Sequence, residues 1–212
     1  MAQFVLVPLA AIANPYAAPG GGLPPGADPS AFQFFQQVDT DRSNSVEVAE
    51  LQRGLSLAFP MLSITESLSR LLVRSFDHAA PPKGSLNFAE FQTCFLQIQA
   101  CVRFVEQRTA ERHRLGQVPT AGMECWWVDQ HDLWEMLSAF GFPTTADWSP
   151  TRRNVVLAAT GSAGRANFSE LLRVMAEVKG LIRICQEINV MPNQQPRAIS
   201  NQELFDFFYR LR

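Results

Sequence analysis

Asp39-Thr40-Asp41-Arg42-Ser43-Asn44-Ser45-Val46-Glu47-Val48-Ala49-Glu50 is the stretch on which the fold turns. Counted from Asp39, side-chain oxygens stand at positions 1, 3, 5, 9 and 12 as Asp39, Asp41, Ser43, Glu47 and Glu50, and position 7, where only a carbonyl is needed, is Ser45. Position 8 is Val46, an apolar residue suited to a short pairing strand. Phe32, Phe35 and Val38 recur at helical spacing before the loop, and Leu51 and Leu55 after it. The pattern predicts helix, chelating loop, helix.

That order of oxygens is the one an EF-hand uses to hold Ca²⁺. One position departs from it. Position 6 demands positive φ and usually holds glycine; here it is Asn44, the best-tolerated substitute in the left-handed region. An acidic surface turn uses similar residues, but it does not require five side-chain ligands in register between two amphipathic flanks. Capture of an ion by Glu50 is expected to reorient the exiting helix, Leu51 to Leu57.

The formal net charge is −2, and no Lys/Arg run exceeds a pair, so nothing points to nucleic acid. Cys94, Cys101, Cys125 and Cys185 are scattered through apolar segments without metal-binding spacing, which predicts a reduced, cytoplasmic chain. Residues 4–13 are apolar like a signal-peptide core, yet Pro8 interrupts them and no basic residue precedes them. His78, His113 and His131 stand apart from plausible nucleophiles, and HExxH, GxSxG and phosphate-binding glycine loops are absent, so no catalytic residue is assigned.

Residues 1–29 are rich in proline and glycine and read as a flexible tail; 30–212 read as the folded domain. Within it, an apolar residue followed four positions later by an acid and a second apolar residue recurs about every forty residues. The units close at Glu50, Glu90, Asp132, Glu170 and Glu203. Their extents are about 31–57, 66–104, 91–141 with an inserted loop, 150–187 and 172–212. No run alternates like a long strand, so the fold class is all-α with short pairing strands. Units one and two are expected to pair through Val46 and Leu86, and three and four through Val128 and Ala166.

Only the first loop carries a full chelating set. The second, Asp77 to Glu90, keeps both end acids and Gly84 but is two residues too long and contains Lys83. The third, closing at Asp132, shows no ligand order. The fourth has Ala159, Gly161 and Ala163 at its first three ligand positions, and the fifth contains Pro192 and Pro196. Glu170 and Glu203 read as helix-start acids favoured by the N-terminal dipole.

Five such units behind a Gly/Pro-rich tail resemble the penta-EF-hand family, and most closely its adaptor branch. The likeness is carried by Phe35-Gln-Gln-Val-Asp-Thr-Asp-Arg-Ser43, Glu50-Leu-Gln-Arg-Gly-Leu-Ser56 and Leu137-Ser-Ala-Phe-Gly-Phe142. The resemblance implies a calcium-binding adaptor or scaffold, with Ca²⁺ held by Asp39, Asp41, Ser43, Ser45, Glu47 and Glu50. It implies a preceding helix of the family's length, so that the third loop would open near Thr109 and span twice the usual length. It implies a homodimer or a heterodimer with another penta-EF-hand chain, formed through the fifth unit. Ile199, Leu204, Phe205, Phe208 and Leu211 would face the partner unless those rings fold onto their own domain. Trp126, Trp127, Trp134 and Phe140 fill a core or line a groove for a Pro-rich peptide. Peripheral association with a membrane, a regulatory role beside a calpain-like protease and a calcium-insensitive scaffold are further readings.

Overall fold

The computed structural model describes residues 23–59, 64–79, 82–116, 127–142 and 149–190, side chains at 150–151, 181 and 183–190 excepted. The chain divides into two compact units, Met1–Cys125 and Trp126–Arg212. Both are built from helices and three-residue strands.

In the first unit, α1 (Pro29–Val38) leads through β1 (Ser45–Glu47) into α2 (Val48–Ala58). The pattern repeats as α3 (Glu66–Phe76), β2 (Ser85–Asn87) and α4 (Phe88–Arg114). The helix starts follow from local chemistry. Asp28 accepts the Ala31 amide at 2.9 Å, and Pro29 occupies the first turn, where a missing N–H costs nothing. Thr65 caps α3 through the Leu68 amide, and Asn87 and Glu90 cap α4 reciprocally. Folding therefore begins slightly before the expected boundary: Asp28 also donates its amide to Gln92 at 2.8 Å.

β1 and β2 run antiparallel, with Val46 opposite Leu86, both fully buried. Beneath them the core is aromatic. Phe34 packs against Phe91 and Phe95, and Phe35 lies edge-on to Phe88 and Phe91, with centroids 5.0–5.8 Å apart. The buried face of α1 is Ala31, Phe34, Phe35 and Val38; Phe32 is only half-buried, edge-on to Phe88. Leu51 and Leu55 are buried as their spacing predicts.

Helix α4 outruns the expected third-loop opening near Thr109. Residues 106–114 are good helix formers, Arg108 pairs with Glu111, and a basic last turn suits the C-terminal dipole. Gly116, at φ 68°, follows the helix end as a left-handed residue should.

In the second unit, β3 (Trp127–Asp129) precedes α5 (Gln130–Ala139), and α6 (Ser149–Thr160), a 3-10 turn (Gly161–Ala163) and β4 (Arg165–Asn167) lead into α7 (Phe168–Val190). β3 and β4 are antiparallel, with Val128 opposite Ala166. Helix α5 ends in a turn where Gly141 takes φ 87° and Phe142 donates to the Leu137 carbonyl. A Cβ at Gly141 would also sit 3.3 Å from Ile182 Cδ1. No described helix is long and apolar enough to cross a membrane.

Candidate metal centre

The loop between α1 and β1 is closed by its own carboxylates. Asp39 Oδ1 accepts the Ser43 amide and Oδ2 the Asn44 amide, each at 3.0 Å. Asp41 Oδ1 also accepts from Ser43 N–H at 3.0 Å. Glu50 reaches back into the loop: Oε1 accepts the Thr40 amide at 2.8 Å and the Thr40 hydroxyl at 2.9 Å, and Oε2 accepts the Glu47 amide at 3.1 Å. Ser43 Oγ lies 3.0 Å from the Ser45 carbonyl, to which it donates, and 3.2 Å from the Ser45 hydroxyl. Asn44 has φ 61°, as position 6 demands.

Oxygens of Asp39, Asp41 and Glu50 all lie within 4.8 Å of one another, and no other described trio of His, Cys, Asp or Glu converges so. Calcium–oxygen distances are about 2.3–2.6 Å, so a single ion can reach all three. The set fits Ca²⁺ by chemistry as well: hard oxygens, several of them charged. Glu47 is exposed at the rim, and Ser45 is half-buried in β1.

The electrostatics explain why a cation is favoured. Asp39 and Glu50 are buried while Asp41 is exposed. Burial raises the Asp39 carboxyl above its ordinary 3.8; the Asn44 and Ser43 amides oppose this, and the nearby Glu50 charge adds to the rise. Asp41 shifts the other way, lowered first by the Ser43 amide and then by its hydroxyl. A positive ion at their focus would offset both burial and repulsion.

The second loop has the same frame with a poorer filling. Asp77, fully buried, accepts the Gly84 amide at 2.8 Å and that of Ala79 at 3.0 Å. Glu90 accepts His78 N–H at 2.8 Å and Asn87 N–H at 2.9 Å. In the fourth unit α6 runs on to Thr160, whose hydroxyl donates to the Val156 carbonyl, so the helix takes the first two loop positions. Glu170 pairs with Arg173 at 2.6 Å.

The sequence-derived aromatic set separates. Trp127, on β3, lies under the Arg165 guanidinium at 3.9 Å, and Trp134, on α5, under that of Arg152 at 4.3 Å. Both rings are half-buried, whereas Phe140 is buried. Arg152 is itself buried, which lowers its pKa, and it donates to the Trp134 carbonyl and, at 2.6 Å, to the Ser138 hydroxyl. These arginines carry no motif by which the sequence announces them. Trp126 and the dimer set Ile199, Leu204, Phe205, Phe208 and Leu211 lie outside the described residues.

Comparison with known proteins follows the same lines. The peflin of Xenopus laevis is 30% identical over 95 residues, covering 45% of this chain and 32% of that protein. The Danio rerio peflin is 34% identical over 112 residues, 52% of this chain and 40% of that protein. The human peflin is 27% identical over 92 residues, 43% and 31%. The chain spans between about a third and two-fifths of the length of these curated relatives. Among solved structures, a homolog of programmed cell death 6 protein from Leishmania major Friedlin matches with TM-score 0.50 and 16% identity, over 85% of this chain and 88% of that one. At that identity the likeness speaks for the fold. No family model matches the chain.

Proposed function

We propose that the chain is a member of the penta-EF-hand family, as its likeness to the peflins supports, and that it is a cytoplasmic, non-catalytic calcium-binding adaptor. The observation that carries the reading is the convergence of Asp39, Asp41 and Glu50 on one point. Ser43, the Ser45 carbonyl and Glu47 complete the set, which makes the first loop the calcium site. Bound there, the ion supplies the double positive charge that relieves the crowded carboxylates. Asp39 and Glu50 tie the two helices of the unit to the loop, because Asp39 ends α1 and Glu50 belongs to the first turn of α2. The β1–β2 pair joins the first loop to the second, and through it to α4.

Dimerisation through the fifth unit is supported by its apolar end, Leu204 to Leu211, which has no fifth-unit partner in its own chain. Under this reading the dimer, homomeric or with another family member, presents a surface to a Pro-rich peptide. A second reading is favoured by the second loop, which keeps its shape through Asp77 and Glu90 without a converging third carboxylate: a constitutive scaffold in which calcium only stabilises the first unit.

Native mass spectrometry with and without calcium tests the proposal by counting subunits and ions together. The expected result is two chains with one ion each. Two or more ions per chain would overturn the assignment of a single site, and a monomer would overturn the dimer.

A further inference from the structure

We infer that the Thr40 hydroxyl biases the first loop against Ca²⁺ and towards Mg²⁺, by occupying a lone pair that Glu50 needs for a two-oxygen grip; this rests on the calcium reading above. A carboxylate offers about four acceptor sites, two per oxygen. Glu50 Oε1 takes both the amide and the hydroxyl of Thr40, at 2.8 and 2.9 Å, while Oε2 takes only the Glu47 amide. Oε1 is therefore saturated, and Oε2 keeps one site open.

The two ions ask different things of that carboxylate. Calcium accepts six to eight oxygens and uses the position-12 glutamate through both of them, whereas magnesium demands near-octahedral geometry and usually keeps several waters. With one site open, Glu50 suits the single-oxygen contact. A two-oxygen contact requires the hydroxyl to let go.

The second loop shows what the frame looks like without this third donor. Glu90 accepts one amide per oxygen, from His78 and Asn87; the His78 imidazole, at the loop position of Thr40, stays 4.0 Å from Oε1, too far for a hydrogen bond, and so leaves a site on each oxygen. Thr40 is the residue that differs, at a loop position that supplies no ligand. It is exposed, so its replacement leaves the core untouched.

Calorimetric titration of the full chain with Ca²⁺ and, separately, Mg²⁺ tests this in wild type, Thr40→Val and Thr40→Ser. Valine keeps the shape and removes the hydroxyl; serine restores it. The calcium-to-magnesium affinity ratio should rise about tenfold in Thr40→Val, equivalent to ~1.4 kcal/mol, and return to the wild-type ratio in Thr40→Ser. The carboxylate infrared bands of the calcium-loaded protein should shift towards the two-oxygen signature in Thr40→Val alone, a change that general loosening of the loop does not produce. An unchanged or lower ratio in Thr40→Val overturns the inference while leaving the calcium site standing. Wild type that binds neither ion overturns both.

Discussion

In the first loop Asp39 accepts the Asn44 amide and Glu50 those of Thr40 and Glu47; in the second Asp77 accepts Gly84, and Glu90 accepts His78 and Asn87. The two loops thus close on the same end acids, although one has two residues more. Their difference lies in the middle. The first places Asp41 and Ser43 where the second has Ala79 to Lys83, and only in the first do three carboxylates converge. Two end acids are enough to shape such a loop, because each accepts backbone amides from within it and so fixes the path of the chain. Chelation is an additional property, supplied by side chains that shaping does not need.

The sharpest way to break that comparison is to remove the charge that serves both purposes. Glu50→Gln keeps a carbonyl oxygen for the amides of the frame but removes the negative charge. Calorimetry should show calcium affinity falling by about a hundredfold or more, ~2.7 kcal/mol, with helicity by circular dichroism preserved. Binding at wild-type strength would remove the first loop's claim to be the site.

A smaller effect is expected where the helices of the first unit cross. A Cβ at Gly54 would lie 2.4 Å from Val38 Cγ2, and valine has little rotamer freedom with which to yield. Gly54→Ala should cost about 1–3 kcal/mol in thermal or denaturant unfolding. In a Val38→Ala background most of that cost should disappear; its persistence would show that the strain lies elsewhere. The corresponding position after Glu90 is Cys94, a buried side chain, so close approach through glycine belongs to the first unit.

The left-handed residues give the two finest tests. Gly84, at φ 76°, meets nothing within 4 Å, so Gly84→Ala reports backbone strain alone and should lower stability by about 1 kcal/mol. Asn44→Gly is the reverse exchange in the first loop, and it should tighten calcium by about twofold through relief of the smaller penalty of asparagine. Should the two substitutions alter stability equally, asparagine would be no better than alanine at φ 61°.

The sequence made the frame legible where a single residue type answers a single demand. Val46 and Leu86 could be paired because position 8 must be apolar, and both strand pairs form in that register. The acids of the first loop were legible for the same reason, since hard oxygens at fixed intervals have few other uses. The buried face of α1 was not: Phe32 and Phe34 are both aromatic, and only the position of α4 decides that Phe34 is the one buried. The length of α4 was hidden because family spacing argued for an end near Thr109, while the intrinsic preferences of residues 106–114 carried the helix on. The Thr40 hydroxyl was illegible for a different reason. Its loop position has no required side chain, so its partner emerges only from the geometry of Glu50.

Helix α4, from Phe88 to Arg114, has 27 residues and so a length of about 40 Å. Its first turn carries Glu90, bonded to the second loop at His78 and Asn87, and that loop is stitched to the first through β1 and β2. The helix is therefore anchored at its first turn to the paired loops, and any rigid tilt there would be amplified along its length. A rigid tilt of about five degrees at its start would displace Arg114 by about 3.5 Å. Over that length, an ångström-scale adjustment at one end would become a side-chain-sized displacement at the other.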